Sequence, residues 1–234
     1  MSTAQPPLPA DAAYYARFPR APRVELPPGL PAAPRARFAV IVPYRDAPAQ
    51  GRAGQLARFL AEVSPRVAAA GGETLIIEQS HDGRRFNRGR LLNLGVRLAA
   101  ERGAGVVVLH DVDLLPDDPI FALYGRALPH PVHLAAHWPK YAHLDLFFGG
   151  VTSFTVEQFA RINGYPNDFW GWGGEDEALY HRLVEAGLSV AVPAEGRFLE
   201  LDHPLTQSVP EQVNAQRFEQ LERRAPAGLG NGLA

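Results

Sequence analysis

Three short apolar runs separated by helical patterns constrain this chain more than any other feature. They are FAVIV at residues 38–42, TLIIE at 74–78 and VVVL at 106–109. Runs this short that are apolar without alternation suit strands buried on both faces, as in a parallel sheet. Between them, residues 55–63 and 88–102 carry apolar positions at helical spacing. In the second segment Leu91, Leu94 and Leu98 form one stripe, Asn87 is placed to cap it and Gly103 to stop it. The order β-α-β-α-β predicts an α/β fold, and such sheets bind ligands beyond the carboxyl ends of their strands. The chemistry is therefore expected just after Val42, Glu78 and Leu109.

The rest of the chain is less regular. Nine of its 22 prolines lie between Pro6 and Pro34, a density that disfavours a helix or a central strand, so residues 1–36 are expected to form an arm whose Tyr14, Tyr15 and Phe18 strap onto the surface or stay loose. Thr155 with Gln158 reads as a capping box for a helix that Gly164 ends. Residues 175–186 read as another helix, stopped by Gly187, with a short strand over 188–192. Beyond Pro210, Val213, Phe218 and Leu221 suggest one last helix. The predicted organisation is an arm (1–36), a catalytic domain (37–206) and a helix with a tail (207–234), without internal repeats.

Composition excludes several classes of function. With 23 basic and 25 acidic residues the net charge is -2, which gives no electrostatic reason to expect nucleic acid as a partner. Cysteine is absent, so disulfides, thiolate metal sites and cysteine nucleophiles are impossible, and any metal is held by oxygen and imidazole. No transmembrane or leader-like stretch is recognisable, and the expected location is cytoplasmic.

Two constellations carry chemistry. His110-Asp111-Val112-Asp113 closes the third apolar run, and in extended chain the two carboxylates share a face. Paired hard carboxylates suit Mn²⁺ or Mg²⁺ and, through it, a nucleoside diphosphate. The second is the run from Asp168 to Glu177, DFWGWGGEDE. Acids favour a helix N-terminus and tryptophans favour cores, but neither tendency accounts for the glycines. Gly173 and Gly174 allow close backbone approach or positive φ, and an indole face offers a platform for a sugar ring.

With these pieces in order, the chain resembles the β-1,4-galactosyltransferase family, inverting glycosyltransferases of GT-A fold. The matching pieces are Pro43-Tyr44-Arg45, Phe86-Asn87-Arg88, the segment from Leu91 to Gly95, Asp111-Val112-Asp113, the segment from Phe148 to Val151, Asn163-Gly164-Tyr165-Pro166-Asn167 and the tryptophan-glycine block, over residues 38–203. The resemblance implies a mixed, mainly parallel sheet, a UDP-sugar donor, most often UDP-galactose, and Mn²⁺ with Mg²⁺ as an alternative. Carried over by position, Pro43, Tyr44 and Arg45 hold the nucleotide, Phe86 and Arg88 frame uracil and phosphates, and Asp111 and Val112 contact ribose or donor sugar. Asp113 ligates the metal. Trp172 and Gly174 line the meeting point of donor and acceptor, Asp176 is the base, and Glu175 and Glu177 bind acceptor hydroxyls.

An ordinary Asp, with a pKa of about 3.9, is ionised at neutral pH and ready to take a proton late in the reaction. Departures from the family pattern qualify the carry-over. Ala47 stands where a second arginine is common, leaving Arg84, Arg85 and Arg88 as candidates for phosphate contact. The later metal ligands fall on His203 and, with Glu200 in place of a softer Met, on a carboxylate, although Asp202 competes. Phe147 replaces a frequent Tyr, which leaves galactose, GalNAc and glucose open. Trp172 and residues 204–210 have the punctuation of closing loops.

Two other readings share these residues: a nucleotidyl- or phosphoryl-transfer enzyme using the same D-V-D, and a carbohydrate-binding protein with a decayed site. The expected acceptor is a glycan, either lipid-linked or polysaccharide, which would place the enzyme beside a membrane without spanning it. Oligomeric state is not legible. His130, His133, His137 and His143 lack metal-ligand spacing and are expected in loops on the acceptor side, His110 is expected to end a strand, and His81 to be exposed.

Overall fold

Strand formation follows the apolar runs closely in the computed structural model, which describes residues 17–30, 35–141, 147–202, 212–223 and 231–233. Nine strands are described: β1 Arg23–Leu26, β2 Phe38–Tyr44, β3 Glu73–Glu78, β4 Val106–His110, β5 Leu114–Pro116, β6 Val132–His133, β7 Val151–Thr155, β8 Val190–Pro193 and β9 Phe198–Glu200. The helices are α1 Arg52–Glu62, α2 Ser64–Ala69, α3 Arg88–Glu101, α4 Asp118–Phe121, α5 Val156–Arg161, α6 Glu175–Glu185 and α7 Arg217–Arg223. Seven strands form one sheet in the order β1-β8-β6-β7-β4-β2-β3, and β5 with β9 forms a two-stranded ribbon.

The central strand β2 is buried along its whole length and pairs in parallel with β3 and β4. Alternate residues point to opposite faces. Phe38, Val40 and Val42 join Phe59, Val63 and Val67 in one layer, while Ala39 and Ile41 meet Leu91, Leu92 and Val96 of α3 in the other. That double burial is why the run is apolar without alternation.

Beyond β4 the direction changes. β7 runs antiparallel to both β4 and β6, and β8 then runs parallel to β6 and β1, so the sheet is mixed. Thr155 forms the expected capping box, with Gln158 N–H donating to its hydroxyl at 3.1 Å and the Gln158 amide oxygen accepting from Thr155 N–H at 2.9 Å. Asn87 caps α3 by accepting from Arg90 N–H at 2.9 Å.

Arg23–Leu26, within the proline-dense stretch, is an edge strand against β8, where a missing backbone donor costs no ladder bond. Phe18 stacks on His181, with ring centroids 4.3 Å apart. Tyr14 and Tyr15 lie outside the described residues. His133 corrects the acceptor-loop expectation: it is buried in β6, where its Nε2 lies 3.1 Å from the Gly149 carbonyl and burial lowers its pKa to about 3. Two residues of strand gave no readable pattern. His130 and His137 lie in loops as expected, and His143 lies outside the described residues.

Candidate active site

The carboxyl ends of β2 and β4 and the first turns of α1, α3 and α6 converge on one cluster of charges. Arg88, the first residue of α3, is its hub. Its Nε donates to Asp111 Oδ1 at 2.8 Å and its Nη1 to Asp176 Oδ1 at 2.8 Å. One guanidinium thus joins the D-V-D to the tryptophan-glycine block 65 residues further on. Tyr165 adds its hydroxyl, which donates to Asp176 Oδ1 at 3.3 Å and accepts from Arg88 Nη1 at 3.3 Å.

The glycines of the block have specific work. Gly174 is the N-cap of α6 with φ 99°, a left-handed conformation open to glycine, and no side chain caps the helix. Glu175, Asp176 and Glu177 in its first turn complement the exposed helix dipole. Gly149, preceding β7, lies against the Asp176 carboxylate, so that a β-carbon there would overlap Oδ2 and the Phe147 ring. Trp172 is held through its backbone, donating to Gln212 O at 2.7 Å and accepting from Asn214 N–H at 2.9 Å.

A second group surrounds Asp113. The Arg52 guanidinium at the start of α1 donates to Asp113 Oδ2 at 2.9 Å and to Gln55 Oε1 at 2.8 Å. Gln55 donates in turn to the Asp202 carbonyl at 3.3 Å. The Asp113 carbonyl accepts from Leu201 N–H at 2.8 Å, tying the D-V-D to the end of β9. Both Glu200 oxygens are engaged, one by Trp138 Nε1 at 2.8 Å and the other by Lys140 Nζ at 2.7 Å. Beyond the end of β2, Arg45 donates to Arg84 O at 2.8 Å and lies over the Phe86 ring at 5.5 Å. Tyr44 donates to Asp46 at 3.4 Å, while Pro43 and Val112 are buried in the sheet's end.

Two sequence profiles cover most of this architecture. One, described as the N-terminal region of glycosyl transferase group 7, matches residues 27–125, and one described as the N-terminal domain of galactosyltransferase matches residues 129–204. The catalytic domain of Drosophila β-1,4-galactosyltransferase 7 in complex with xylobiose is 30% identical and superposes with a TM-score of 0.68, covering 85% of this chain and 83% of that one. The chain belongs to the β-1,4-galactosyltransferase family.

A mutant of the same Drosophila enzyme, in complex with manganese, UDP-Gal and xylobiose, superposes with a TM-score of 0.67 at 29% identity and the same coverage. Mouse β-1,4-galactosyltransferase 6 is 38% identical over 178 residues, 73% of this chain and 44% of the relative. Human β-1,4-galactosyltransferase 3 is 34% identical over 209 residues, 86% of this chain and 51% of the relative. The chain therefore spans about half the length of these curated relatives. The fold is GT-A, with the mixed central sheet expected of the family. Among the described residues no helix is long and apolar enough to cross a membrane.

Family membership gives the metal a place to be tested against the residues present. Among the described residues no three His, Asp or Glu side chains converge as a metal-binding group, and His203 lies outside them. The donor chemistry nevertheless fits a hard divalent cation. Asp113 is a nearly buried carboxylate, 6% exposed, that already carries a cation in the form of Arg52. Glu200, the carboxylate that the resemblance suggests as a further ligand, is paired with the chain's one lysine.

Sequence reading gives Arg52 no role; the structure sets it at the start of α1, just after the 3₁₀ turn Pro48–Gln50, and pairs it with Asp113. The available signal was Arg52 and Gln55, polar residues three apart in the first turn of a helix at the end of a buried strand. Tyr165 belongs to the motif at residues 163–167, and the resemblance gives it no role.

The carboxylates are not those of free Asp and Glu. Burial pushes the Asp176 pKa well above the usual carboxylate range, with the Asp111 charge adding to the rise and Arg88 opposing it. This corrects the expectation of an ordinary Asp. Glu175 is raised by burial first and then by the Asp176 charge, and its Oε2 makes no hydrogen bond. His110, buried behind the D-V-D, is lowered to about 4 by burial and is neutral at pH 7.

A stability test follows from Glu175. Its folded pKa lies above the unfolded value of about 4.3, so the native state holds an extra proton between the two values and stability falls as pH rises through that window. Glu175→Gln is therefore expected to raise the melting temperature by about 2–4 °C at pH 8, the equivalent of ~1 kcal/mol, and by little at pH 4. Melting curves at the two pH values check it, and an equal shift at both would contradict it.

Proposed function

We propose that this chain is a metal-dependent, inverting glycosyltransferase that moves a hexose, galactose in the first instance, from a UDP-sugar to a glycan hydroxyl. The observation that carries this reading is the Arg88 guanidinium joining Asp111 to Asp176 across the crevice. In this reading Asp111 is the donor-side acid and Asp176 the acceptor-side acid of one reaction centre, and the shared guanidinium supports it.

In this mechanism Asp176 accepts the acceptor hydroxyl's proton as that oxygen attacks the anomeric carbon. A single displacement inverts the configuration. Arg88 keeps the base and the donor-side Asp111 in register, and its positive charge favours the ionised form of both. Glu175 and Glu177 are placed on the acceptor side, and Trp172 offers its indole to a sugar face. Arg45 and Phe86 frame the base of the nucleotide. Asp113 would hold Mn²⁺, with Mg²⁺ as the alternative and His203 and Glu200 as further ligands; when bound, the cation would supply Lewis-acid stabilisation of the departing diphosphate.

The acceptor proposed is a glycan, in line with the xylobiose bound to the Drosophila relative. The acceptor is taken to be lipid-linked or a polysaccharide, met by a cytoplasmic enzyme that lies beside the membrane. Donor choice rests on Phe147, packed between Tyr141, His133 and Trp138 at centroid distances of 4.7, 5.2 and 6.1 Å.

The test is release of UDP from UDP-galactose, UDP-GalNAc, UDP-glucose and UDP-GlcNAc with Mn²⁺, Mg²⁺ or EDTA. Metal-dependent release, fastest from UDP-galactose, is expected. The reading fails if no donor is turned over and calorimetry detects no binding of UDP with Mn²⁺.

A further inference from the structure

We propose that Tyr165 is a positioning residue for Asp176, its hydroxyl holding one carboxylate oxygen so that the other receives the acceptor's proton. The inference rests on the reading of Asp176 as the base and adds a residue to which that reading gives no role. Oδ1 takes both Arg88 Nη1 and the Tyr165 hydroxyl, whereas Oδ2 is the oxygen turned toward Gly149. A carboxylate gripped through one oxygen presents the second in a fixed direction, and catalytic geometry is sensitive to errors of about 1 Å.

Packing alone does not call for a hydroxyl here. The Tyr165 ring is fully buried, and phenylalanine would fill the same space. A buried phenol needs a partner, and this one is aimed at the charged pair.

The loop carrying Tyr165 is braced from three sides. Asn93 of α3 accepts from Tyr165 N–H at 2.9 Å and donates to Tyr165 O at 2.8 Å. Arg182 of α6 donates to the carbonyls of Asn163 and Gly164 at 2.8 and 2.7 Å, which secures two consecutive residues at φ 55° and 57°. The Asn231–Leu233 segment closes the third side. Asn231 accepts from Asn167 N–H at 2.6 Å, Gly232 O accepts from Asn167 Nδ2 at 2.7 Å, and Asn231 O accepts from Arg182 Nη2 at 2.6 Å. Without these ties the tyrosine hydroxyl has no fixed address.

The groups facing Asp176 set the expected pH behaviour. Arg88 from α3 and the Tyr165 hydroxyl from the loop favour the ionised form, while Asp111 beyond β4 and Glu177 on the same helix oppose it, as burial does. Glu175 adjoins Asp176 on α6 and shares its field, as does Tyr141 from the segment before β7. Loss of the hydroxyl removes a bond to the ionised form, so the pKa rises further and the acid limb of the kcat profile moves to higher pH.

The experiment compares wild type, Tyr165→Phe, Asn231→Ala and Asp176→Asn in transfer from the best UDP-sugar, with circular dichroism and melting curves for each. Tyr165→Phe is expected to lower kcat about tenfold, leave both KM values within about twofold and shift the acid limb upward by about one pH unit. Asn231→Ala, which loosens the brace and keeps the hydroxyl, is expected to lower kcat by a smaller factor with the same sign of shift. An unchanged kcat and limb in folded Tyr165→Phe, with Asp176→Asn inactive, would overturn the positioning role and leave the base intact. Should Tyr165→Phe fail to fold, Asn231→Ala decides by the same two readouts. An active Asp176→Asn would instead remove the base reading on which the inference stands.

Discussion

Asp176→Asn is expected to keep the fold and the metal-dependent binding of UDP while slowing transfer about 10²–10⁴-fold. The amide is nearly isosteric and retains an oxygen for Arg88 and Tyr165, so the hub of hydrogen bonds survives. What disappears is the capacity to take a proton. Burial raises the pKa of this carboxylate toward the working range of a general base, so wild-type activity is also expected to fall on acidification well before an exposed aspartate would titrate. Initial rates of transfer across pH 5–8, beside calorimetry of UDP with Mn²⁺, check both statements. Transfer within tenfold of wild type would assign the proton to another group.

The second large effect is expected at Asp113. Asp113→Asn should weaken metal-dependent UDP binding about 100-fold or more, because the anionic oxygen that anchors the cation is gone. A stability cost accompanies it, since Arg52 loses its counter-charge in a site where its side chain is only 18% exposed. Removing one partner of a fully buried pair costs about 3–5 kcal/mol, and residual solvent access with the surviving amide places this case lower, about 1–2 kcal/mol. Arg52→Met in the same background is expected to recover stability without recovering UDP binding. Urea unfolding separates the two quantities, and nucleotide affinity unchanged in Asp113→Asn would remove the metal role of that residue.

How far the sequence discloses this molecule depends on the range of the forces involved. Burial on both faces of β2, capping at Asn87 and Thr155 and the glycine stop after α6 are consequences of neighbours within a few positions, and they were readable. The insertion of β7 antiparallel between β4 and β6 was not, because strand order is decided by pairing between distant segments. Arg52 and Asp113 are 61 residues apart, and nothing local to either marks the contact. His133 was misplaced for a related reason, since a two-residue strand has no period. At the site, motif resemblance supplied the residues and the fold supplied their mutual geometry. The resemblance implies uracil and phosphate contacts for Arg88, and the structure adds its pairing with two carboxylates, which no local pattern marks.

The strand contributed by the proline-dense stretch has a consequence for the behaviour of the protein in a crowded solution. β8 would otherwise offer an unpaired edge at one end of a seven-stranded sheet, a template for other chains. Arg23–Leu26 occupies that edge with four residues between Pro22 and Pro27, presenting Arg23 and Glu25 outward. A strand so short, bounded by prolines that supply no amide hydrogen, offers a further strand few backbone groups to pair with. The prolines that bound this stretch thus also limit how much open sheet edge it offers to another chain.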